Sequence, residues 1–185
     1  MLTAASIAAL AVLAACDAGG NASSVSSGVS ADKEILDANG HPLLLPNTDP
    51  GVAVFESELL RLVNDYRLVL NLSPLIPSTR ISDAARAHAR HMIEHRFISH
   101  VSPEGLLPGE RLALLHVDWT AVGENIASAY STPQAVFDAW MASPTHRARI
   151  EDERFTHAGV GYALDAHPSA EFADVHYWAM AFLKR

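Results

Sequence analysis

Apolar residues change their spacing twice along this 185-residue chain, and the changes mark three zones. Residues 2–15 are uncharged and mostly apolar, and they end in Leu13-Ala14-Ala15-Cys16. Residues 17–50 are rich in Ser, Gly, Ala, Asn, Asp and Pro, without apolar periodicity, and read as a flexible linker. From Val52 the spacing becomes helical: Phe55, Leu59, Leu62, Val63, Tyr66 and Leu70 form one stripe, predicting a helix that ends near Asn71. Pro74 and Pro77 make the next link extended. Ser82 suits an N-cap with Asp83 in the first turn, and Ile81, Ala85, His88 and Met92 mark the buried stripe of a second helix closing near Arg96.

Residues 97–109 are a Ser/Pro/Gly-rich loop, followed by a short helix over 110–115. Thr132-Pro133 reads as N-cap and first-turn proline of a helix through Trp140. Ser143-Pro144 restarts a helical turn carrying His146. After that the period shortens, and residues 158–164 and 172–182 read as strands. Helices first and strands last predict a segregated α+β domain.

The zones divide the chain into residues 1–15, 16–51 and 52–185. With 49 % hydrophobic residues, a body of about 130 residues buries roughly two-thirds of its unfolded surface. The net charge is -8, and the first 50 residues contribute five acids against one lysine. The body is therefore only mildly acidic and lacks the basic footprint of a nucleic-acid binder.

The single cysteine, Cys16, excludes an internal disulfide and any cysteine-based zinc site. A short apolar run with small residues before a cut site reads as a secretory signal; a spanning helix needs about 20 apolar residues. Leu13-Ala14-Ala15-Cys16 resembles a bacterial lipobox, although no Lys or Arg precedes the run. The resemblance implies a cut before Cys16, lipidation of that cysteine, and a domain tethered to a membrane outside the cytoplasm. Asp17 is similar to the inner-membrane retention signal of some lipoproteins.

Three separated segments offer side chains that can share one divalent ion or one polar ligand: His100, Glu124 in Gly123-Glu124-Asn125-Ile126-Ala127, and His146. Glu124 has two readings. A glutamate in a Gly-Glu-Asn turn can accept backbone amides and fix the loop, or it can meet the ligand. Asn125 is read as structural, because Asn amides bridge turns. His88, His91 and His95 share a helix at spacings of three and four, which suggests a second metal site. The buried stripe instead makes His88 a core residue, and Arg90 and Arg96 nearby disfavour a cation. No glycine-rich phosphate loop, dinucleotide fingerprint or His-Glu-x-x-His helix occurs. Ser99 precedes His100, but neighbours on an extended segment point to opposite sides, so no nucleophile is assigned and the catalytic residues are unknown.

These segments together resemble the CAP superfamily, or SCP domain, in its cysteine-free bacterial branch. The match runs from about Val54 to Phe182. Its elements are Leu62 to Arg67, Ala84 to Ala89 with Met92, Phe97 to His100 with Ser102 to Gly105, and Arg111. Then come Gly123 to Ala127, Ala139 to Met141 with Ser143-Pro144 and His146-Arg147, and Gly159 to Tyr162.

The resemblance implies an α-β-α sandwich with a central antiparallel sheet and a large cleft. It implies that His100, Glu124 and His146 line the cleft, with zinc or another divalent cation as the candidate cofactor. A fourth position falls on Tyr177, or on His176 in a register slipped by one, which would turn the side chain to the other sheet face. Ala179 and Met180 replace a polar Thr-Gln pair and Arg149 an Asn usual in the family, so the cleft wall is expected to be more apolar. The expected function is an envelope-tethered binding module for a small, lipid-like or peptidic ligand, held by His100, Glu124, His146 and Tyr177. The alternatives are a metal-dependent hydrolase of envelope peptides or esters, and an envelope scaffold.

Overall fold

The computed structural model describes residues 13–17, 50–169 and 175–185, and of residues 13–17 only the backbone. The expected signal and linker lie almost wholly outside the described residues. Ten elements follow in chain order: β1 (Leu13–Asp17), α1 (Pro50–Val69), β2 (Ile76–Pro77), α2 (Thr79–Glu94), α3 (Pro108–Leu114), β3 (Ala121–Ser128), α4 (Pro133–Ala142), α5 (Pro144–Glu151), β4 (His157–Leu164) and β5 (His176–Lys184). They build one five-stranded sheet in the order β1-β3-β5-β4-β2. Neighbours are antiparallel except β2 and β4, which are parallel. β1 straddles the expected cut before Cys16 and runs along the outer edge of β3, with Cys16 opposite Glu124.

Strand residues alternate between faces, and the apolar clusters follow that alternation. Ala127, Ala158, Val160, Tyr162, Trp178, Met180 and Phe182 pack with Leu59 and Val63 of α1, Val136 and Trp140 of α4, and Ile150 of α5. On the opposite face, Ile126, Ala163, Tyr177 and Ala179 meet Ala85, Ala89 and Met92 of α2. Val122, Ala181 and Leu183 meet Ile81 and Ala84 of α2 and Leu112 of α3. The result is the expected α-β-α sandwich.

Tight contacts hold the layers in place. Gly159 and Gly161 of β4 face α2, and a Cβ on them would lie 2.1 Å from Ser82 N and 2.0 Å from Arg86 N. Backbone therefore sits directly on backbone, which only glycine permits. Arg86 reaches the buried Glu56 of α1 through bonds of 2.7 and 2.6 Å. Glu56 in turn accepts from Tyr162 N at 3.1 Å, satisfying an edge donor of β4. Arg67 is fully buried and donates to the carbonyls of Ser73, Ile150, Asp152 and Phe155, tying α1 to the α5–β4 link.

Several elements fall where periodicity puts them. α4 begins at Pro133 with Thr132 Oγ1 accepting from Ala135 N at 3.2 Å, the predicted cap. Two expectations are corrected. α2 begins at Thr79 after an N-cap at Ser78, earlier than Ser82. The cause is β2, which pairs with His157 and Ala158 and delivers the chain to the helix start. The Gly-Glu-Asn segment is not a turn but lies within β3, seven of whose eight residues are buried. A strand covered on both faces loses the alternation that would have revealed it, and strands are therefore not confined to the C-terminal part.

Candidate functional site

The three residues Gly123, Glu124 and Asn125 serve alternate sides of β3. Gly123 leaves room for a side chain: an added Cβ would lie 2.7 Å from Arg149 Cδ and 2.9 Å from Phe155 Cζ. Asn125 shares that side and donates from Nδ2 to the carbonyl of His146 at 3.1 Å, so it bridges strand to helix. Glu124 points the other way, toward α2 and α3, because it pairs with Ala181 of the α2/α3 face.

Glu124 is only 2 % exposed. A buried carboxylate is costly unless it is paired and hydrogen-bonded, and here both oxygens are. His100 Nδ1 lies 2.8 Å from Oε1, and an Arg111 guanidinium nitrogen donates to Oε2 at 2.6 Å. The other terminal nitrogen of Arg111 donates to the carbonyls of His100 at 2.7 Å and Leu106 at 3.0 Å. One guanidinium thus fixes the carboxylate and the loop that carries His100. Helix α3, which supplies Arg111, opens on Pro108, with Glu110 Oε2 accepting from Leu107 N at 2.7 Å.

Beneath the pair lies His88 of α2, 1 % exposed, with Nε2 2.9 Å from the Ser99 carbonyl and 3.9 Å from Glu124 Oε1. Burial and the nearby Arg111 charge lower its pKa to about 3. Burial alone would raise the pKa of Glu124, but Arg111, His88 and His100 together outweigh it and hold it at about 2. His88 is neutral above about pH 3, so at neutral pH Arg111 is the cation that keeps Glu124 ionised.

Hydrogen bonding assigns the tautomers. The Ser99 carbonyl can only accept, so His88 carries its proton on Nε2. An ionised Glu124 can only accept, so in neutral His100 the proton sits on Nδ1. That leaves His100 Nε2 a bare lone pair, buried and without a partner among the described residues; His88 Nδ1 and Asn125 Oδ1 share that condition. A carboxylate-held imidazole with its far nitrogen open can accept from a ligand N–H or O–H, act as a base, or bind a metal.

The described structure joins His100 to Glu124 but sets His146 elsewhere. His146 lies in α5, with Nδ1 2.7 Å from Ser143 Oγ and its ring stacked on Trp140 at 6.3 Å between centroids. Trp140 belongs to the α1/α4/α5 face, across β3 from Glu124. Accordingly, among the described residues, the one group with three metal-capable atoms within 4.8 Å of one another is His91, His95 and Glu104, not these three. Glu124 as arranged also has no oxygen clear of a donor, and a guanidinium on Oε2 disfavours a cation there. The donor set around His100 thus suits a polar ligand better than a three-ligand ion.

Tyr177 is fully buried and shares the sheet face of Glu124, opposite Ser128. That register puts it about 13 Å along the strand from Glu124. His176 turns to the other face, where Nδ1 lies 2.8 Å from Tyr162 Oη. Sequence reasoning left out two members of the site. The apolar stripe of α2 marks His88 only as core, and Arg111 carries no local signal of its role. The usable signal is the acid itself: a carboxylate on a strand that the sheet buries needs a cation or other donors beside it.

Residues 60–182 match the family model described as the cysteine-rich secretory protein family, CAP. Over 111 residues the chain is 35 % identical to the uncharacterized protein YkwD of Bacillus subtilis, covering 60 % of this chain and 43 % of that protein. It is 32 % identical over 130 residues to the uncharacterized membrane protein YlbC of the same organism, covering 70 % and 34 %. The chain spans less than half the length of these relatives. Among solved structures, an extracellular SCP-domain protein of Bacillus anthracis aligns with TM-score 0.64 and 25 % identity over 76 % of this chain and 45 % of that one. An outer surface protein of Borrelia burgdorferi shares the fold, with TM-score 0.62 and 22 % identity over 70 % of this chain and 91 % of that one.

Proposed function

Because the chain belongs to the cysteine-rich secretory protein family, with its CAP domain over residues 60–182, we propose that it is an extracytoplasmic binding module tethered to the cell envelope. The observation that carries this reading is the buried Nε2 of His100, without a partner among the described residues and held in place by Glu124 and Arg111. A ligand hydroxyl or amide, as a lipid-like or peptidic molecule would offer, would satisfy that nitrogen by donating to it. Location outside the cytoplasm is supported by the extracellular Bacillus anthracis relative, and the membrane tether by the lipobox-like Leu13 to Cys16.

The test compares molecules extracted from the purified full chain and from His100→Ala by mass spectrometry. At least tenfold more of a lipid or peptide on the wild type is expected. Equal retention, or nothing on either protein, would remove His100 from ligand binding.

A second reading, a metal-dependent hydrolase of envelope peptides or esters, draws on the same carboxylate-held imidazole. His100 and His146 would serve as ligands and Glu124 as ligand or general base. A bound zinc would supply an activated water near neutral pH. This reading requires Arg111 to leave Oε2 and His146 to come round β3. It expects zinc-restored, chelator-sensitive turnover that disappears in Glu124→Gln; no such turnover on a peptide and ester panel eliminates it.

A further inference from the structure

We propose that His91, His95 and Glu104 form a second, peripheral site for a zinc-like divalent cation, separate from the His100–Glu124 cluster. Their ligand-capable atoms all lie within 4.8 Å of one another. Two imidazoles and one carboxylate are the donor types that zinc and its first-row neighbours take, with a position left for water.

The site is built by two elements. His91 and His95 stand four residues apart at the end of α2, so their side chains leave the same helix face. Helical spacing persists to the cap, where His95 N donates to the His91 carbonyl at 3.0 Å. The two rings meet edge to face with centroids 4.3 Å apart. Phe97 stands against His91 at 5.6 Å and 90°, forming an apolar wall beside the imidazole.

Glu104 comes from the loop. A tight turn, with Gly105 N donating to the Ser102 carbonyl at 2.8 Å and Gly105 at φ +84°, folds it back on the helix. Glu104 Oε1 then lies 3.3 Å from His91 Nε2. Tetrahedral zinc with bonds of 2.0–2.1 Å wants ligand atoms about 3.3 Å apart. Small rotamer changes at exposed side chains therefore close the site.

The two arginines that seemed to disfavour a cation are engaged elsewhere. Arg96 pairs with Asp165 and donates to the His167 carbonyl at 3.1 Å. Arg90, one residue before His91, lies about 100° round the helix from it. The charges that act on it are Arg86, Glu56, Glu94 and Asp83. Glu104 lies four residues beyond His100, so a bound ion would pin the His100 loop to α2. The ion would link the periphery to the His100–Glu124 cluster without touching it.

The probe is zinc alone, titrated calorimetrically into the full chain and into four variants, with visible absorption of bound Co2+ reporting the donors. One equivalent should bind in the wild type and in His100→Ala. His95→Ala and Glu104→Gln, both at exposed positions that the fold does not need, should weaken it at least tenfold, and His91→Ala likewise. Absence of zinc binding in the wild type overturns the site. So does zinc affinity unchanged by His95→Ala and Glu104→Gln, or zinc lost in His100→Ala while circular dichroism shows an intact fold.

Discussion

At the scale of single residues, the account rests on a buried acid and the three groups around it. Glu124 can stay ionised only because Arg111 donates to Oε2 and His100 to Oε1. His88 completes the set and leaves a signature in stability. Its folded pKa, lowered to about 3, lies below its ordinary value of 6.5. Between those values the unfolded chain binds a proton that the folded one refuses, so stability falls as pH drops from about 6.5 toward 3. Glu124, folded at about 2 and ordinarily 4.5, adds the same direction of change only below about 4.5. The interval from about pH 6 to 5 therefore separates His88 from Glu124, although His176, whose pKa burial also lowers, adds in the same direction there. There His88 adds a slope of up to about 1.4 kcal/mol per pH unit, which a difference against a His88 variant separates from that of His176. His88→Gln, whose amide can still donate to the Ser99 carbonyl, should flatten the slope by that amount in urea denaturation. An unchanged slope would mean that His88 is not held neutral.

At the scale of elements, the contact of α2 with β4 decides the geometry of the site. α2 carries His88 and positions the loop that delivers His100, and it rests on Gly159 and Gly161. A methyl group at Gly161 meets the backbone of Ala85 and Arg86 at 2.0–2.4 Å, where no flexible side chain can yield. Gly161→Ala should lower stability by about 2 kcal/mol or more, and it should also loosen the Arg86–Glu56 pair. A change under about 0.5 kcal/mol would show that the layers are looser than described. Legibility follows the same physics. α1 and α4 are exposed on one face, so their apolar stripes and the Thr132-Pro133 start could be read directly. β3 is buried on both faces and interrupted by Gly-Glu-Asn, so the same reading takes it for a turn. The true start of α2 depends on β2 pairing with a strand about 80 residues later, which no local pattern encodes.

At the scale of the whole molecule, family and sandwich were legible because several short segments occur in the right order. What was not legible is which sheet face each candidate occupies. His100 and Glu124 meet because both fall on the α2/α3 side, whereas His146 follows Trp140 to the opposite side. The proposed envelope tether would likewise be a whole-chain property. Labelled palmitate should enter the wild type and be lost in Cys16→Ala; equal label in both proteins would sink the lipoprotein reading.

The central claim is that Glu124 holds His100 so that Nε2 is left open for a ligand. Nitrogen-15 resonances of the histidine ring, measured at pH 8 on ligand-free protein and assigned with His100→Gln, test it most directly. The account predicts a proton on His100 Nδ1 and a bare Nε2, with that preference lost in Glu124→Gln. A ring protonated on Nε2, or a tautomer indifferent to Glu124→Gln, would contradict it.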